Sequence, residues 1–287
     1  MATVTIGVPV YNGAATLAKS LECLRTQTYR DIEVIVADNA STDDSADIAQ
    51  GFVDRDPRFR LIRRDSNIGP VPNFFSLLGE ASSELFMWRA DDDWSDADYI
   101  EKLKELFDRD AKVRLAASEC LLVRHNGEVL ETRSFSRPEK GSRIRRIGHV
   151  LMHLSSNSIY GLWHRKTLVE ILARTQKNYP YIWAWDHLAM FPVILAEGVA
   201  GTNETRLYAG RDVARRYSAS EPAAKMWEMR RSFRAACFAE MRMLDLTFSE
   251  RILLSVYVMR YANIRVYRFW KTVRRQIRET LGVGGKA

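Results

Sequence analysis

Four short strand-like runs, each followed by a polar cluster and a helical pattern, fill about the first hundred residues and leave few folds open. Val4-Thr5-Ile6-Gly7-Val8-Pro9-Val10 reads as a buried strand closed by Pro9 and the turn residues Asn12-Gly13. Leu17, Leu21 and Leu24 then recur at helical spacing, and Thr28-Tyr29-Arg30-Asp31 ends that helix before a second apolar strand, Ile32 to Ala37. Asp38-Asn39-Ala40-Ser41-Thr42-Asp43 is a polar turn in which Ser41 or Thr42 can cap a helix starting near Asp44. Arg60-Leu61-Ile62-Arg63 forms a third strand and Asn73 to Leu78 lies in a helix. Leu85-Phe86-Met87-Trp88 is a fourth strand that runs into Arg89-Ala90-Asp91-Asp92-Asp93-Trp94.

This alternation predicts an α/β fold: a mostly parallel, Rossmann-like sheet flanked by helices. Such sheets bind ligands at the carboxyl ends of their strands. Here those ends are Tyr11-Asn12, Asp38-Asn39, Asn67-Ile68-Gly69 and Asp91 to Asp93, so all four polar clusters are expected on one edge.

Beyond Asp93 the pattern predicts a helix over Tyr99 to Phe107 and strands near Val113 to Ala117 and Cys120 to Arg124, then a turn at Asn126-Gly127. Helices follow near Val150 to Leu154, Thr167 to Thr175 and Trp183 to Leu195, with strands at Ser158 to Trp163 and Ala200 to Tyr208. Long helices dominate Met226 to Leu246 and Glu250 to Leu281. The expected division is a domain over 1–215, with one half at 1–110 that carries the four polar clusters and a second half at 111–215, and a helical, basic extension over 216–287. The chain's 287 residues, 46% of them hydrophobic, suffice for a sizeable core.

Cys23, Cys120 and Cys237 form no CxxC pair, so neither a disulfide framework nor a zinc site is expected, and a reducing cytoplasm is the natural setting. No secretory leader is recognised, and no apolar run reaches the roughly 20 residues needed to span a bilayer. The formal charge of +7 is uneven: acidic residues crowd the first half, whereas from Arg251 onward nearly every charge is Arg or Lys. An acidic surface, anionic lipid or nucleic acid, is the expected partner of that end.

Three adjacent aspartates repel one another and raise one another's pKa. A divalent cation removes that cost, and Mg²⁺ or Mn²⁺ is commonly held by one or two carboxylates together with substrate phosphates. The alternative is that Asp91 to Asp93 only cap a helix starting near Asp96 and face solvent.

Val8-Pro9-Val10-Tyr11-Asn12, Val36 to Asp43, Asn67-Ile68-Gly69 and Ala90-Asp91-Asp92-Asp93-Trp94 together resemble glycosyltransferase family 2, inverting enzymes with a GT-A fold. The resemblance implies that Pro9, Tyr11 and Asn12 line a nucleotide pocket, that Asp38 pairs with the base, and that Asn67 belongs to the donor site. It places Asp91 near the ribose or diphosphate, with Asp92 beside it, and makes Asp93, with Asp91, the metal ligand, for Mn²⁺ or Mg²⁺. Taken singly, Tyr11 also reads as a core aromatic and Asp38 as a helix cap.

Inversion requires a general base on the acceptor hydroxyl. The resemblance points to Asp186 in Trp183-Ala184-Trp185-Asp186-His187-Leu188; many members carry Glu-Asp where this chain has Trp185-Asp186. Asp186 also reads as a helix-capping residue, and His187 as a packed core histidine. Gly161, in Ser158-Ile159-Tyr160-Gly161-Leu162-Trp163, resembles an acceptor-side segment or is an ordinary strand turn. Trp185 is a candidate for stacking on a sugar. Arg211 and Arg215 lie where some relatives close a loop over the donor, and guanidinium groups suit diphosphate oxygens. The Gln-x-x-Arg-Trp pattern of processive relatives is missing, which argues against a polymerising synthase.

Val266, Trp270, Val273, Ile277 and Leu281 share one face of the last helix, flanked by Arg268, Lys271, Arg275 and Arg278. Such a helix lies on an anionic membrane, beside a lipid-linked acceptor, or packs on the protein or a second subunit. The leading expectation is therefore transfer of one sugar from a nucleotide sugar, UDP favoured, to a glycan or lipid-linked glycan in surface polysaccharide or O-antigen assembly. Such an enzyme would be cytoplasmic, peripheral at the membrane, a homodimer if the stripe pairs subunits, and without a nucleic-acid partner. A metal-dependent nucleotidyltransferase is the rival enzyme, weakened because Tyr11-Asn12-Gly13-Ala14-Ala15 is no Gly-rich, Lys/Arg-bearing phosphate loop. A nucleic-acid-binding module with an acidic helix cap is the non-catalytic rival.

Overall fold

The computed structural model describes residues 2–124, 126–138, 140–210 and 221–281. They fall into two compact units, the first drawn from Met1–Ser136, Ser155–Val169 and Gly198–Ala214, the second from Arg137–Leu154, Glu170–Glu197 and Arg215–Ala287.

The first unit carries the sheet. Its β1 (Val4–Val10), β2 (Ile32–Asp38), β3 (Phe59–Arg63) and β4 (Leu85–Trp88) are mutually parallel in the order β3-β2-β1-β4. Helices α1 (Ala14–Arg25), α2 (Ser45–Val53) and α3 (Pro70–Glu80) alternate with them. Residues of β1 and β2 are buried on both sides, which is why both strands read as continuous apolar runs instead of alternating ones. Gly7 is needed for this layering: a Cβ there would meet Leu77 Cβ of α3 at 2.8 Å. The register aligns Val10 with Asp38 and Asp38 with Arg63, so the loops after β1, β2 and β3 emerge together.

Past β4 the sheet becomes mixed. β5 (Trp94–Ser95) pairs antiparallel with β9 (Val199–Gly210), β9 runs parallel to β6 (Leu115–Val123), and β8 (Leu162–His164) lies antiparallel between β4 and β6. A hairpin adds β7 (Val129–Arg133) to β6. Helix α4 (Tyr99–Arg109) packs on β9 and β6.

Several local expectations need correction. The two strands expected over 113–124 are one, β6. The strand expected from Ser158 begins as a 3₁₀ turn, Ser156–Tyr160, because the Ser155 side chain accepts a hydrogen bond from Asn157 N–H and tightens the chain there. The acidic triplet does not lead directly into a helix; β5 follows it and α4 starts only at Tyr99.

The second unit is helical: α5 (Arg143–His153), the greater part of α6 (Arg165–Asn178), α7 (Trp185–Leu195), α8 (Ala223–Arg242), α9 (Phe248–Arg265) and α10 (Phe269–Thr280). Leu188 and Phe191 of α7, Phe233 of α8 and Val258 and Tyr261 of α9 are buried. Gly148 of α5 sits against the Tyr257 ring, 2.3 Å from where a Cβ would lie. Arg146 pairs with Glu197 at 2.8 Å, and Arg174 with Glu240 at 3.0 Å.

The long helical stretch expected from Glu250 to Leu281 is made of two helices, α9 and α10. Tyr267 has φ 24°, and Val266, fully buried, ends α9. Val266 therefore does not share the exposed face of Trp270, Ile277 and Leu281. Among the described residues, no helix is long and apolar enough to cross a membrane.

Candidate active site

At the carboxyl edge of the first unit the strand-end loops are tied together by side chains. Asn12, in the left-handed region at φ 52°, donates its N–H to Ser41 Oγ at 3.0 Å, and its Oδ1 accepts from Thr42 N–H at 2.9 Å. Gly13 N–H donates to Ser45 Oγ and Ala14 N–H to Asp43 Oδ2. Asn39 joins the second loop to the third: its Nδ2 donates to Asn67 Oδ1 at 2.9 Å and to Gly69 O at 3.2 Å, while its Oδ1 accepts from Ile68 N–H at 3.0 Å. The fourth loop closes on the first, because Gly13 leaves room for Asp91; a Cβ at 13 would lie 2.0 Å from Asp91 Oδ2.

The expected donor residues therefore share one edge. Tyr11 is exposed and Pro9 half-buried, paired in register with Ala37. Asp38 is buried, its carboxylate accepting Ser41 N–H at 3.2 Å. Asn67 is exposed, and Asp91 and Asp92 are half-buried.

Asp93 is buried, and its Oδ1 accepts the Gly210 N–H at 2.8 Å. Burial, then the charge of Asp92, pushes its carboxyl up to about 7, against the pull of the Gly210 N–H and the Arg89 guanidinium. Arg89 is itself fully buried, over the Tyr99 ring at 5.3 Å, with one nitrogen donating to Ser95 Oγ at 3.0 Å. Its Nε and Nη1 have no hydrogen-bond partner among the described residues. Trp94 is held between Lys19, whose Nζ lies 3.0 Å from the ring centroid, and Tyr208, stacked at 5.6 Å.

A cleft of about 280 Å³ opens beside the triplet, lined by Asp92, Asp93, Arg133, Asn157, Tyr160 and Gly210. Arg133 is fixed by Glu131 at 2.8 Å and donates to Asn157 Oδ1 at 3.0 Å. Sequence reasoning missed Arg89, Arg133 and Asn157. Arg89 could have been suspected as a cation next to three carboxylates; Arg133 and Asn157 sit in polar stretches with no distinguishing pattern.

Among the described residues, no set of three or more His, Cys, Asp or Glu is arranged to hold a metal alone. The donor chemistry nevertheless fits a hard divalent cation that takes its remaining oxygens from a diphosphate: Asp93 carries a carboxylate that burial and Asp92 disfavour, and a cation relieves both.

Asp186 belongs to the second unit. It lies in the first turn of α7, after Ala184 at φ 62°, and is not the capping residue. Burial raises its carboxyl pKa, opposed by the His187 backbone N–H and by Arg265. Burial lowers His187 to about 3, so that ring stays neutral; Tyr261 Oη donates to the His187 carbonyl at 2.9 Å. Trp185 is half-buried beside it, and Trp183 stacks on Tyr267 at 5.2 Å. Gly161 has its open side against the Ala116 carbonyl, 2.3 Å from a would-be Cβ, a close approach inside the sheet. Arg211 and Arg215 lie outside the described residues.

Solved structures of glycosyltransferases share this α/β fold. The structure of S. aureus TarS 1-349 in complex with UDP-GlcNAc superposes with a TM-score of 0.67 at 16% identity, covering 99% of this chain and 76% of that one. The mannosyltransferase PcManGT from Pyrobaculum calidifontis, in complex with GDP-Man and Mn²⁺, gives 0.54 at 15% identity over 99% and 81%. Residues 5–150 match the model of Glycosyl transferase family 2, and the chain belongs to that family.

Its relatives include the GalNAc(5)-diNAcBac-PP-undecaprenol beta-1,3-glucosyltransferase of Campylobacter jejuni, 30% identical over 94 residues, which are 32% of this chain and 30% of the relative. Alignments with five such relatives span between 14% and 41% of their lengths.

Proposed function

We propose that this glycosyltransferase moves one sugar, with inversion, from a nucleoside-diphosphate sugar to a glycan or lipid-linked glycan in surface polysaccharide assembly. The observation that carries the reading is the bonded edge that joins Asn12, Asn39 and Asn67 beside Asp91 and Asp93. In this reading Pro9, Tyr11, Asn12, Asp38 and Asn67 hold the nucleoside, and Asp91 and Asp92 face the ribose and diphosphate. UDP is favoured as the carrier, since a protein of the same fold is known with UDP-GlcNAc. The lipid-linked acceptor is suggested by the C. jejuni relative, whose substrate is undecaprenol-linked.

Asp93, with Asp91, would hold Mn²⁺ or Mg²⁺, which supplies positive charge for the departing diphosphate. Asp186 takes the proton from the acceptor hydroxyl, and its raised pKa makes it a stronger base than a solvated aspartate. His187, neutral through the working range, leaves that carboxylate uncompeted. Arg211, Arg215 and Trp185 complete the diphosphate and acceptor contacts, while Gly161, packed against the Ala116 carbonyl, serves the sheet. The enzyme works in the cytoplasm at the inner face of the membrane, its basic C-terminal helices toward the lipid.

The test is thermal stabilisation by a panel of nucleoside diphosphates with and without Mn²⁺. Metal-dependent stabilisation by one of them is expected. No response to any nucleotide, with tight salt-sensitive binding of RNA or DNA, would sink the reading in favour of a nucleic-acid module.

A further inference from the structure

Helix α9 presents an apolar face that nothing in the described structure covers. Phe248, Ile252, Val256 and Met259 are 80%, 53%, 61% and 45% exposed. Their spacing of four, four and three residues confines them to an arc of about 80° on the helix, which at 1.5 Å per residue is roughly 27 Å long. The opposite side buries Leu254, Val258, Tyr261 and Ala262. The exposed arc is thus a second apolar stripe on a helix already anchored by its first. A soluble helix does not maintain such a stripe without a partner.

The charges flanking the stripe identify the partner. Arg251 and Arg260 are exposed and fall on either side of it. The acid of this helix, Glu250, is used in the capping box at Thr247, accepting its N–H at 3.0 Å. Arg265 is turned inward to the carbonyls of Leu151, Met152 and Leu154. The exposed charge bordering the stripe is therefore positive. A two-fold contact between copies would bring these arginines against their own kind with no acid on α9 to pair them. An anionic lipid surface satisfies both features, taking the apolar side chains below the headgroups while the arginines reach phosphates. Helix α10 repeats the composition, with Trp270, Ile277 and Leu281 exposed beside Lys271, Arg274 and Arg278.

We propose that the exposed α9 face of Phe248, Ile252, Val256 and Met259 docks on an anionic bilayer, with Arg251 and Arg260 against its headgroups. The proposal deepens the lipid-linked reading of the acceptor, but its test needs no substrate, so the two fail separately.

The experiment is co-sedimentation of the 287-residue chain with phosphatidylcholine vesicles, alone or with about one-third phosphatidylglycerol. Binding to the anionic vesicles is expected, weakening as salt rises. The variant F248S/I252S/V256S should bind roughly tenfold more weakly or worse, and R251E/R260E should lose binding at low salt. Both should keep the wild-type melting temperature and nucleotide-induced stabilisation, since the side chains are exposed. Absence of binding to anionic vesicles overturns the proposal. So does binding that survives the triple substitution and is lost with W270S/I277S, or a solution dimer that F248S/I252S/V256S converts to monomer without any lipid binding.

Discussion

The backbone N–H of Gly210 donates to Asp93 Oδ1 at 2.8 Å, and the same glycine leaves no space for a side chain, since a Cβ would stand 2.5 Å from the Asp92 carbonyl. The end of β9 is thereby locked to the acidic triplet. Gly210→Ala should push the two apart, at a cost of roughly 1–3 kcal/mol. It should weaken metal-dependent binding of the nucleoside diphosphate more than it lowers stability, as read by calorimetric titration beside a melting curve.

Asp93 makes stability depend on pH in an unusual direction. Its carboxyl pKa is near 7 in the folded protein against 3.8 ordinarily, so between those values the folded state keeps a proton that the unfolded state releases. Its contribution is complete below pH 3.8 and disappears as pH climbs to about 7. Without metal, Asp93→Asn should therefore gain on the wild type by up to roughly 4 kcal/mol as pH rises through that window. Mn²⁺ together with a nucleoside diphosphate should restore the wild type and leave the variant unchanged; a wild type and variant whose stabilities run parallel from pH 3.8 to about 7 would refute this.

Asp186→Asn should bind the nucleoside diphosphate as tightly as wild type but lose roughly 10²- to 10⁴-fold in kcat. In the wild type, kcat/KM should rise with pH through an apparent pKa above the ordinary carboxylate value, because only the ionised form accepts a proton and burial disfavours that form. Full activity in the variant would assign the base elsewhere.

Asn39→Leu removes a buried amide that serves the loops after two strands. The Ile68 N–H loses its acceptor, while the Asn67 and Gly69 oxygens each lose one of two donors and keep the Gly69 and Asn73 N–H groups, so a stability loss of roughly 1–3 kcal/mol is expected. Nucleotide affinity should fall with it, whereas Asn39→Asp, which keeps the acceptor, should restore part of the loss by calorimetry.

The first half of the fold was legible because it is buried from both sides. Strands expected at 4–10, 32–37, 60–63 and 85–88 are found at Val4–Val10, Ile32–Asp38, Phe59–Arg63 and Leu85–Trp88, and all but the half-buried β3 are largely apolar runs buried along nearly their whole length. β7 escaped notice because Val129 to Glu131 are exposed and carry no periodic pattern. The break at Tyr267 was also unreadable: no Gly or Pro marks it, and it is set by the burial of Val266 and by Arg230, which donates to the Val266 carbonyl at 3.2 Å. The clustering of the polar strand-end residues followed from strand order alone. The contacts of Arg89, Arg133 and Asn157 depend on where distant segments meet, which local spacing does not encode.

Because Asn12, Asn39, Ser41 and Asp43 each bond to the loop opposite them, the strand-end loops are not interchangeable parts. A loop grafted from a relative would arrive with its bonding half missing. The exposed side chains of Tyr11 and Ile68 make none of those bonds. If this edge holds the donor as proposed, they are the positions at which its preference can be changed one residue at a time, with the clasp beneath them left whole.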